Sequence, residues 1–92
     1  MSYFAYIMTN HTNTVLHTGI TNNLEKRVFQ HKYQTKNSFT AKYHVYKLVW
    51  FEEFRNVTDA IAAEKKIKGW TRVKKIYLIK TINQNFEDLA KR

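Results

Sequence analysis

A carboxylate occupies a position that the sequence pattern predicts to be on the inner side of a helix. Ala60, Ile61 and Ile67 recur at helical spacing, and Glu64 lies four residues after Ala60 and three before Ile67. Removing a carboxylate from water is costly unless it is paired or bound to a cation. Glu64 is therefore either a rim residue that reaches solvent or pairs with a lysine, or the ligand of a metal ion.

Four other residues are of types that suit proton transfer or anion binding. Arg27 and His31 are four residues apart, so they share one face of a predicted helix. Tyr6 lies in an apolar segment, and His17 lies two residues before Gly19. Each has an ordinary structural explanation, such as a solvated helix face, a core aromatic or a strand end. The histidines lack the spacing of a zinc site, and the chain has no Gly-rich phosphate loop and no Ser-His-Asp pattern.

The first elements that must position these residues form a predicted hairpin. Residues 3–9 are apolar and aromatic and short enough to predict a strand. The polar cluster 10–13 predicts a turn, after which residues 15–18 pair back as a second strand, and the hairpin ends at Gly19. The chain has two glycines and no proline, so each glycine is expected to meet a backbone requirement.

A helix and a third strand follow the hairpin. Asn22 and Glu25 have the spacing of a capping box, which predicts a helix over about 23–32. Residues 33–44 are polar and basic, and we expect a loop there. The aromatic, alternating segment 46–54 predicts the third strand. One face of that strand is expected to carry Leu48, Trp50 and Phe54.

Two further helices complete the predicted order. Thr58 is suited to cap the second helix, which ends at about Lys68, and Gly69 fits the left-handed position that stops a helix. Thr71 is suited to cap the third helix, which runs to about residue 82. The buried side chains of the third helix are expected to be Val73, Ile76 and Ile79.

This succession of elements predicts an α+β fold. Its order is β-β-α-β-α-α, with a small three-stranded, mainly antiparallel sheet flanked by helices. A chain of 92 residues predicts one domain, 1–92, with a core over about 3–82. The tail 83–92 is expected to dock through Phe86 and Leu89.

The balance of charge predicts a polyanionic partner. Sixteen Lys and Arg against seven Asp and Glu give a formal net charge of +9. No acidic residue lies between Glu25 and Glu52 or between Glu64 and Glu87, so two basic tracts contain no acid. Such tracts predict a nucleic-acid-binding face. A basic surface that only keeps the protein soluble is the alternative.

Composition also excludes several classes of protein. With 43% apolar and 15% aromatic residues, the chain can form a core and is not typical of disordered proteins. It contains no cysteine, which rules out a disulfide partner and a thiolate metal site. No apolar run approaches the roughly 18 residues that span a bilayer, and no secretory leader opens the chain. We therefore expect a cytoplasmic protein without a membrane partner.

Several segments carry a recognisable pattern when they are taken together and in order. They read FAYI at 4–7, HTGITN at 17–22, LEKRV at 24–28, HK at 31–32, LVWFE at 48–52 and AEKKIKGW at 63–70. In this order the chain resembles the GIY-YIG nuclease superfamily, and more narrowly its short, stand-alone bacterial members. The resemblance extends over about residues 3–89.

The resemblance implies roles for individual positions. Tyr6 matches the tyrosine that ends the first family tripeptide and would take a proton from water. Gly19 matches the glycine that ends the second tripeptide. Arg27 matches the arginine that holds the scissile phosphate. Glu64 matches the single carboxylate that binds the divalent metal, here one Mg²⁺ or Mn²⁺.

Two further matches and two departures complete the comparison with the family pattern. His31 matches a histidine one helical turn after the arginine, and Asn83 matches a C-terminal asparagine near the site. The first tripeptide is Phe4-Ala5-Tyr6, without its glycine, and the second begins with His17 where the family has tyrosine. Histidine can donate, accept and relay a proton, and its reference pKa near 6.5 suits a base. We therefore include His17 among the predicted catalytic residues.

Together these features predict a divalent-metal-dependent endonuclease that hydrolyses phosphodiester bonds in DNA. Without a separate recognition domain, cleavage is expected to depend on DNA structure rather than sequence, and RNA is the alternative substrate. A catalytically weak or inactive nucleic-acid-binding module with the same fold is the alternative function. The residues expected to bind nucleic acid are Lys26, Lys32, Lys42, Lys65, Lys68, Arg72, Lys74 and Lys75.

Overall fold

A three-stranded antiparallel sheet forms the centre of the protein. The computed structural model describes residues 1–33 and 42–90. The strands are β1 (Tyr3–Thr9), β2 (Leu16–Thr21) and β3 (Lys47–Phe54). Their order in the sheet is β2-β1-β3, and both pairings are antiparallel. Because β1 is central, it is covered on both faces, and its last five residues are all buried.

Three helices pack on this sheet within residues 1–33 and 42–90. They are α1 (Leu24–Tyr33), α2 (Val57–Lys68) and α3 (Arg72–Lys80). The element order is β-β-α-β-α-α, so the predicted α+β class and order are confirmed. Most of the predicted loop after α1, residues 34–41, lies outside the described residues. Within the described ranges, no helix has the length and apolar character needed to cross a membrane.

Different helices cover the two faces of the sheet. Successive side chains of a strand point to opposite faces, so each face has its own apolar cluster. On one face, Ala5 and Ile7 of β1 belong to the apolar cluster that α2 and α3 complete through Ile67 and Ile79. A smaller apolar cluster lies on the other face, where α1 packs. Its buried members are Tyr6, Met8, Val28, Val45 and Leu48.

A β-bulge makes one face prediction wrong. The pairing of β1 with β3 shifts register between Ile7 and Met8, so that Trp50 lies opposite Ile7 but Leu48 lies opposite Met8. Val49 is the extra residue in β3, so the side chains on either side of it no longer alternate regularly between the two faces of the sheet. Leu48 and Trp50 consequently belong to apolar clusters on opposite faces rather than sharing one face.

Side-chain caps set the start of α1 and α3. The Asn23 Oδ1 atom accepts a hydrogen bond from the backbone N–H of Lys26 at 3.0 Å, so the cap is Asn23 and not the predicted Asn22. Thr71 caps α3 as predicted, because its hydroxyl accepts from the backbone N–H of Lys74 at 3.3 Å.

The ends of α2 differ from the prediction. Asn56 Oδ1 accepts from the Thr58 N–H at 2.8 Å, so Asn56 is the N-cap and Thr58 lies inside the first turn. Gly69 has φ −83° and ψ −5°, which is an ordinary right-handed conformation and not the left-handed one that was expected. The backbone N–H of Gly69 still closes the helix by bonding the carbonyls of Lys65 and Lys66.

The inner stripes of α2 and α3 are narrower than the sequence pattern indicates. Ile79 is fully buried and Ile76 is half-buried, but Val73 is 78% exposed, so its predicted burial is wrong. Because α3 meets the core through its C-terminal half, a side chain in the first turn stays in solvent. Ile61 of α2 is likewise 39% exposed, whereas Ala60 and Ile67 are buried.

Two polar contacts attach irregular segments to this framework. Arg72 donates from its guanidinium to the backbone carbonyls of Asn13 and Thr14, which fixes the β1–β2 turn against the start of α3. Asn83, 5% exposed, donates from its side-chain amide to the carbonyls of Val49 and Glu87 and accepts from the Glu87 N–H. These bonds hold the segment after α3 against β3.

Candidate active site

The side chain of Tyr6 fills the space that Gly19 leaves on the neighbouring strand. The two residues are cross-strand partners of β1 and β2. A methyl group added to Gly19 would lie only 2.5 Å from Cζ of the Tyr6 ring, which is far inside van der Waals contact. Gly19 is therefore required by the ring and not by its backbone conformation. In this position the Tyr6 side chain is almost completely buried, at 1% exposure.

Two histidines from different elements join Tyr6 on the same face of the sheet. His17 lies opposite Met8 on β2, two positions from Gly19, so it shares the face of the Tyr6 ring. His31 comes from α1, and its Nε2 atom is 3.3 Å from the Tyr6 hydroxyl. The three ring centroids are 5.4 to 6.2 Å apart. The structure thus brings together three groups that can exchange protons.

Arg27 and Glu64 act on this cluster through their charges. Burial raises the pKa of the Tyr6 hydroxyl above its ordinary value, and it outweighs the Arg27 guanidinium, which lowers that pKa. The Glu64 carboxylate adds to the rise. Tyr6 is therefore a neutral phenol at pH 7 when no ligand is bound. In the free protein Arg27 alone therefore does not bring the pKa of Tyr6 below its ordinary value.

Both histidines are held in the neutral form. Burial lowers the pKa of His17, and the positive charges of Lys68 and Arg27 lower it further. Burial, His17 and Arg27 together lower the pKa of His31 to about 4. The pKa near 6.5 expected for His17 is thus too high, because the prediction took no account of burial among cations. At neutral pH both imidazoles are proton acceptors.

Glu64 lies at the edge of the site and is paired with a lysine. Its side chain is 12% exposed, and its Oε2 atom is 3.1 Å from Nζ of Lys68, one helical turn later. This pairing is the rim arrangement that the sequence pattern left open. The charge of Glu64 also raises the pKa of Tyr6 and opposes the lowering of the His17 pKa, so the carboxylate lies within electrostatic range of both rings. Among residues 1–33 and 42–90, no group of three or more His, Asp and Glu side chains could hold a metal by itself.

Several cations that were expected to bind nucleic acid form ion pairs or hydrogen bonds with other groups of the protein. Lys32 pairs with Asp88 at 2.7 Å, and both side chains are largely covered, at 18% and 11% exposure. Lys68 pairs with Glu64 but remains 62% exposed. The Arg72 guanidinium bonds the β1–β2 turn. Their charges remain, but their donors have partners in the protein.

The other predicted nucleic-acid contacts lie at or near the surface. Lys26, Lys42, Lys65 and Lys74 are exposed, and Lys75 is half-buried. Trp70, which the sequence analysis did not single out, lies between two of the basic residues of this region. The Nζ atoms of Lys66 and Lys74 lie 6.0 and 4.7 Å from the centre of its ring. The spacing of four residues on each side of Trp70 was the signal available in the sequence.

Asn83 makes its hydrogen bonds away from the ring cluster. Its side-chain amide donates to the carbonyls of Val49 and Glu87 and accepts from the Glu87 N–H. These contacts give it a structural part in attaching the chain after α3. The structure therefore gathers Tyr6, His17, His31, Arg27 and Glu64, and it places Asn83 elsewhere.

The sequence matches proteins that are already known. A model of the GIY-YIG catalytic domain matches residues 2–77. A UPF0213 protein of Clostridium perfringens is 40% identical over 76 residues, which cover 83% of this chain and 82% of that protein. A UPF0213 protein of Pediococcus pentosaceus is 35% identical over 78 residues, which cover 85% of this chain and 81% of that protein.

A solved structure has the same fold. The solution NMR structure of a UPF0213 protein from Bacillus halodurans superposes with a TM-score of 0.61 and covers 96% of this chain and 93% of that chain. The two sequences are 23% identical. At this identity the likeness supports the fold alone.

We expect Gly19→Ala to destabilise the protein and to displace the Tyr6 ring. The added methyl group cannot coexist with the ring, and overpacking of this kind costs about 1–3 kcal/mol in the free energy of unfolding. Gly69→Ala is the matched control, because the nearest atoms to its new methyl group would be 3.7 Å away and its φ is helical. The measurement is thermal unfolding of both variants, in which Gly19→Ala should melt at a lower temperature than Gly69→Ala. Equal melting temperatures would contradict the packing described for Tyr6.

Acidification should destabilise the protein through His31. Its pKa is about 4 in the folded protein and near 6.5 in the unfolded chain, so the unfolded chain binds more protons between these values. The free energy of unfolding must then fall as the pH drops from 6.5 towards 4. Urea midpoints at pH 7.5 and pH 5 should differ less in His31→Gln than in the parent. His11→Gln, in the exposed turn, should leave the difference unchanged.

Proposed function

Because this chain belongs to the GIY-YIG family of nucleases, we propose that it is an endonuclease that hydrolyses phosphodiester bonds in DNA with the help of a divalent metal ion. The observation that carries the proposal is the convergence of Tyr6, His17 and His31 with the charges of Arg27 and Glu64. These residues come from four different elements, β1, β2, α1 and α2. Packing of the fold does not by itself require proton-exchanging and charged groups from all four to lie near one another.

The chain's own residues supply a route for the proton of the attacking water. As water attacks phosphorus and the bond from phosphorus to the leaving oxygen breaks, the Tyr6 oxygen takes a proton from the water while the Tyr6 hydroxyl proton passes to Nε2 of His31, 3.3 Å away. An imidazolium forms, and Tyr6 remains a neutral phenol. The negative phosphate of bound DNA raises the pKa of the histidine and so favours this transfer.

Arg27 suits the stabilisation of the reacting phosphate. Its guanidinium lies near enough to Tyr6 and both histidines to affect the pKa of each. A planar fork of N–H donors matches two non-bridging phosphate oxygens. Charge that builds up on those oxygens in the transition state would therefore meet a fixed positive group.

Glu64 fits the role of holding a divalent metal ion. Mg²⁺ prefers oxygen ligands, keeps several waters and takes further ligands from substrate phosphate, so one protein carboxylate is sufficient. Glu64 is largely covered and already has a cation, the Lys68 ammonium, beside it. A bound Mg²⁺ or Mn²⁺ would act there as a Lewis acid that stabilises the leaving oxygen.

The basic surface near α2 and α3 would bind the flanking DNA. Lys65 and Lys74 are exposed, and Lys74 is held over the Trp70 ring, so that its ammonium is positioned before DNA arrives. Lys26 and Lys42 are also exposed and would add phosphate contacts. Such contacts are independent of sequence, and they support a preference for DNA structure rather than base sequence.

The experiment that tests the proposal is the substitution Glu64→Gln. We expect loss of Mg²⁺-dependent cleavage by a factor on the order of 10² or more, because the amide lacks the charge that holds the cation. DNA binding should persist or tighten, since a negative charge is removed. Cleavage of plasmid, branched and single-stranded DNA should be measured beside Glu52→Gln, an exposed carboxylate on β3. Equal activity of Glu64→Gln and the parent would refute the assignment of Glu64.

A nucleic-acid-binding module with little or no activity is the second candidate. Two observations favour it, namely the histidine at position 17 and the near-complete burial of the Tyr6 side chain at 1% exposure. A hydroxyl so covered, with its pKa raised, is poorly placed to act on water unless the binding of DNA opens the site.

The substitution His17→Tyr separates the two candidates. It restores the family residue at the start of the second tripeptide, whereas His17→Ala removes any proton acceptor from that position. For an active parent enzyme we expect His17→Ala to lower the rate, and the acid limb of the pH–rate profile to lie below 6.5 because the pKa of His17 is lowered. An inactive parent together with an active His17→Tyr variant would favour the binding module.

A further inference from the structure

Helix α1 has little apolar attachment for an element that carries two residues of the candidate site. Val28 is the one buried residue among its ten, and Phe29 and Tyr33 are 56% and 67% exposed. Yet Arg27 and His31 both depend on the position of this helix, since His31 must reach within hydrogen-bonding distance of Tyr6. A helix held by so small an apolar stripe needs other contacts to fix its last turn.

The needed contact is an ion pair with the segment after α3. Lys32, the residue next to His31, donates from Nζ to Oδ2 of Asp88 at 2.7 Å. Both side chains are largely covered, at 18% and 11% exposure, so solvent screens the pair less than a surface salt bridge. The two residues are 56 positions apart in the chain.

Asp88 is itself fixed to the edge of β3. Its Oδ1 atom accepts hydrogen bonds from the backbone N–H groups of Leu48 and Ala90, each at 3.1 Å. The neighbouring Leu89 N–H donates to the Leu48 carbonyl at 2.7 Å. One carboxylate therefore connects the sheet edge, the segment 83–90 and the last turn of α1.

We propose that Asp88 is a positioning residue for the candidate active site, which acts through Lys32 to hold the last turn of α1 against the sheet and His31 against Tyr6. Asp88 lies beyond residues 2–77, the part matched by the family's catalytic-domain model. The inference rests on the proposed function only where activity is measured. The position of His31 can be tested without any activity.

The substitutions Asp88→Asn and Lys32→Met both break the ion pair. The amide introduced by Asp88→Asn would keep an acceptor for the Leu48 and Ala90 N–H groups and lose only the charge that attracts Lys32. Lys32→Arg keeps a cation at the same position and should keep the His31 titration of the parent. Glu87→Gln is the matched control, because it removes the charge of an exposed carboxylate one residue away.

The first measurement is the NMR titration of the His31 imidazole in the protein without metal or DNA. The charged and titratable groups that face His31 are Tyr6, His17 and Arg27. Loss of the Asp88 charge would by itself lower the pKa of His31, since a negative neighbour favours imidazolium. We expect the opposite, a rise of roughly one unit towards 6.5, because a released α1 exposes His31 to water. Glu87→Gln should show no rise.

The second measurement is the rate of DNA cleavage. We expect Asp88→Asn and Lys32→Met each to lower kcat by about tenfold with little change in KM, because the reacting groups are misplaced while binding is kept. If Lys32 bound DNA instead, Lys32→Met would weaken binding, whereas Asp88→Asn would strengthen it. Opposite effects of this kind would overturn the proposal.

The two hypotheses fail in different ways. A parent protein without nuclease activity refutes the proposed function, but the titration still tests the role of Asp88. An unchanged His31 titration in both Asp88→Asn and Lys32→Met refutes the positioning role, even if the enzyme is active. If Asp88→Asn fails to fold, Lys32→Met decides through amide hydrogen exchange in the last turn of α1, which a released helix must speed up. The titration cannot decide in this variant, because loss of the Lys32 charge by itself raises the pKa of His31.

Discussion

The contact between the Tyr6 ring and Gly19 is the constraint on which the site depends. The Tyr6 ring on the central strand occupies the space beside Gly19 on the edge strand, where any side chain would collide with it. This arrangement places a phenol at 1% exposure beside the edge of a thin sheet. His17 on the same strand as Gly19 and His31 on α1 then have one surface to meet, which is the ring itself.

Burial among positive charges determines the protonation of this site more than any single pair of residues does. Burial raises the pKa of Tyr6 against the effect of Arg27, and burial together with nearby positive charge lowers the pKa of both histidines, so all three rings are neutral before a ligand arrives. Arg27 adds a positive charge beside these neutral rings, and its effect on Tyr6 and His17 is opposed by Glu64. A phosphate that enters this environment meets a complementary charge and two proton acceptors at once.

Local patterns predicted the features that local interactions decide. The bounds of β1, the Thr71 cap and the order of the elements follow from residues close together in sequence, and all are confirmed. The bulge opposite Ile7 depends on pairing between β1 and β3 and could not be read from either strand. The exposure of Val73 was missed for a similar reason, because helical spacing shows which side chains align but not where a helix meets its core.

The site residues were also predictable from local sequence patterns. What was missed there again depends on contacts between residues far apart in the chain. A family pattern of ordered motifs identified the residues that the structure brings together, although their catalytic roles stay predictions. Charge counting took no account of cations that pair within the protein, since Lys32 and Arg72 find partners 56 and 58 or 59 residues away along the chain. No spacing rule connects residues so far apart.

The hydrogen bonds from Arg72 to the hairpin turn affect which sequence changes the turn can accept. Its guanidinium bonds the carbonyl oxygens of Asn13 and Thr14, and every amino acid carries such an oxygen. Side chains in the turn can therefore be substituted without loss of the Arg72 contact. Position 13 is an exception, because its φ of 59° favours Asn or Gly. A change in turn length would instead carry both oxygens out of reach. The geometry therefore constrains the length of the turn more tightly than its side chains, apart from Asn13 and from Asn10, whose Oδ1 accepts from the N–H groups of Thr14 and Val15.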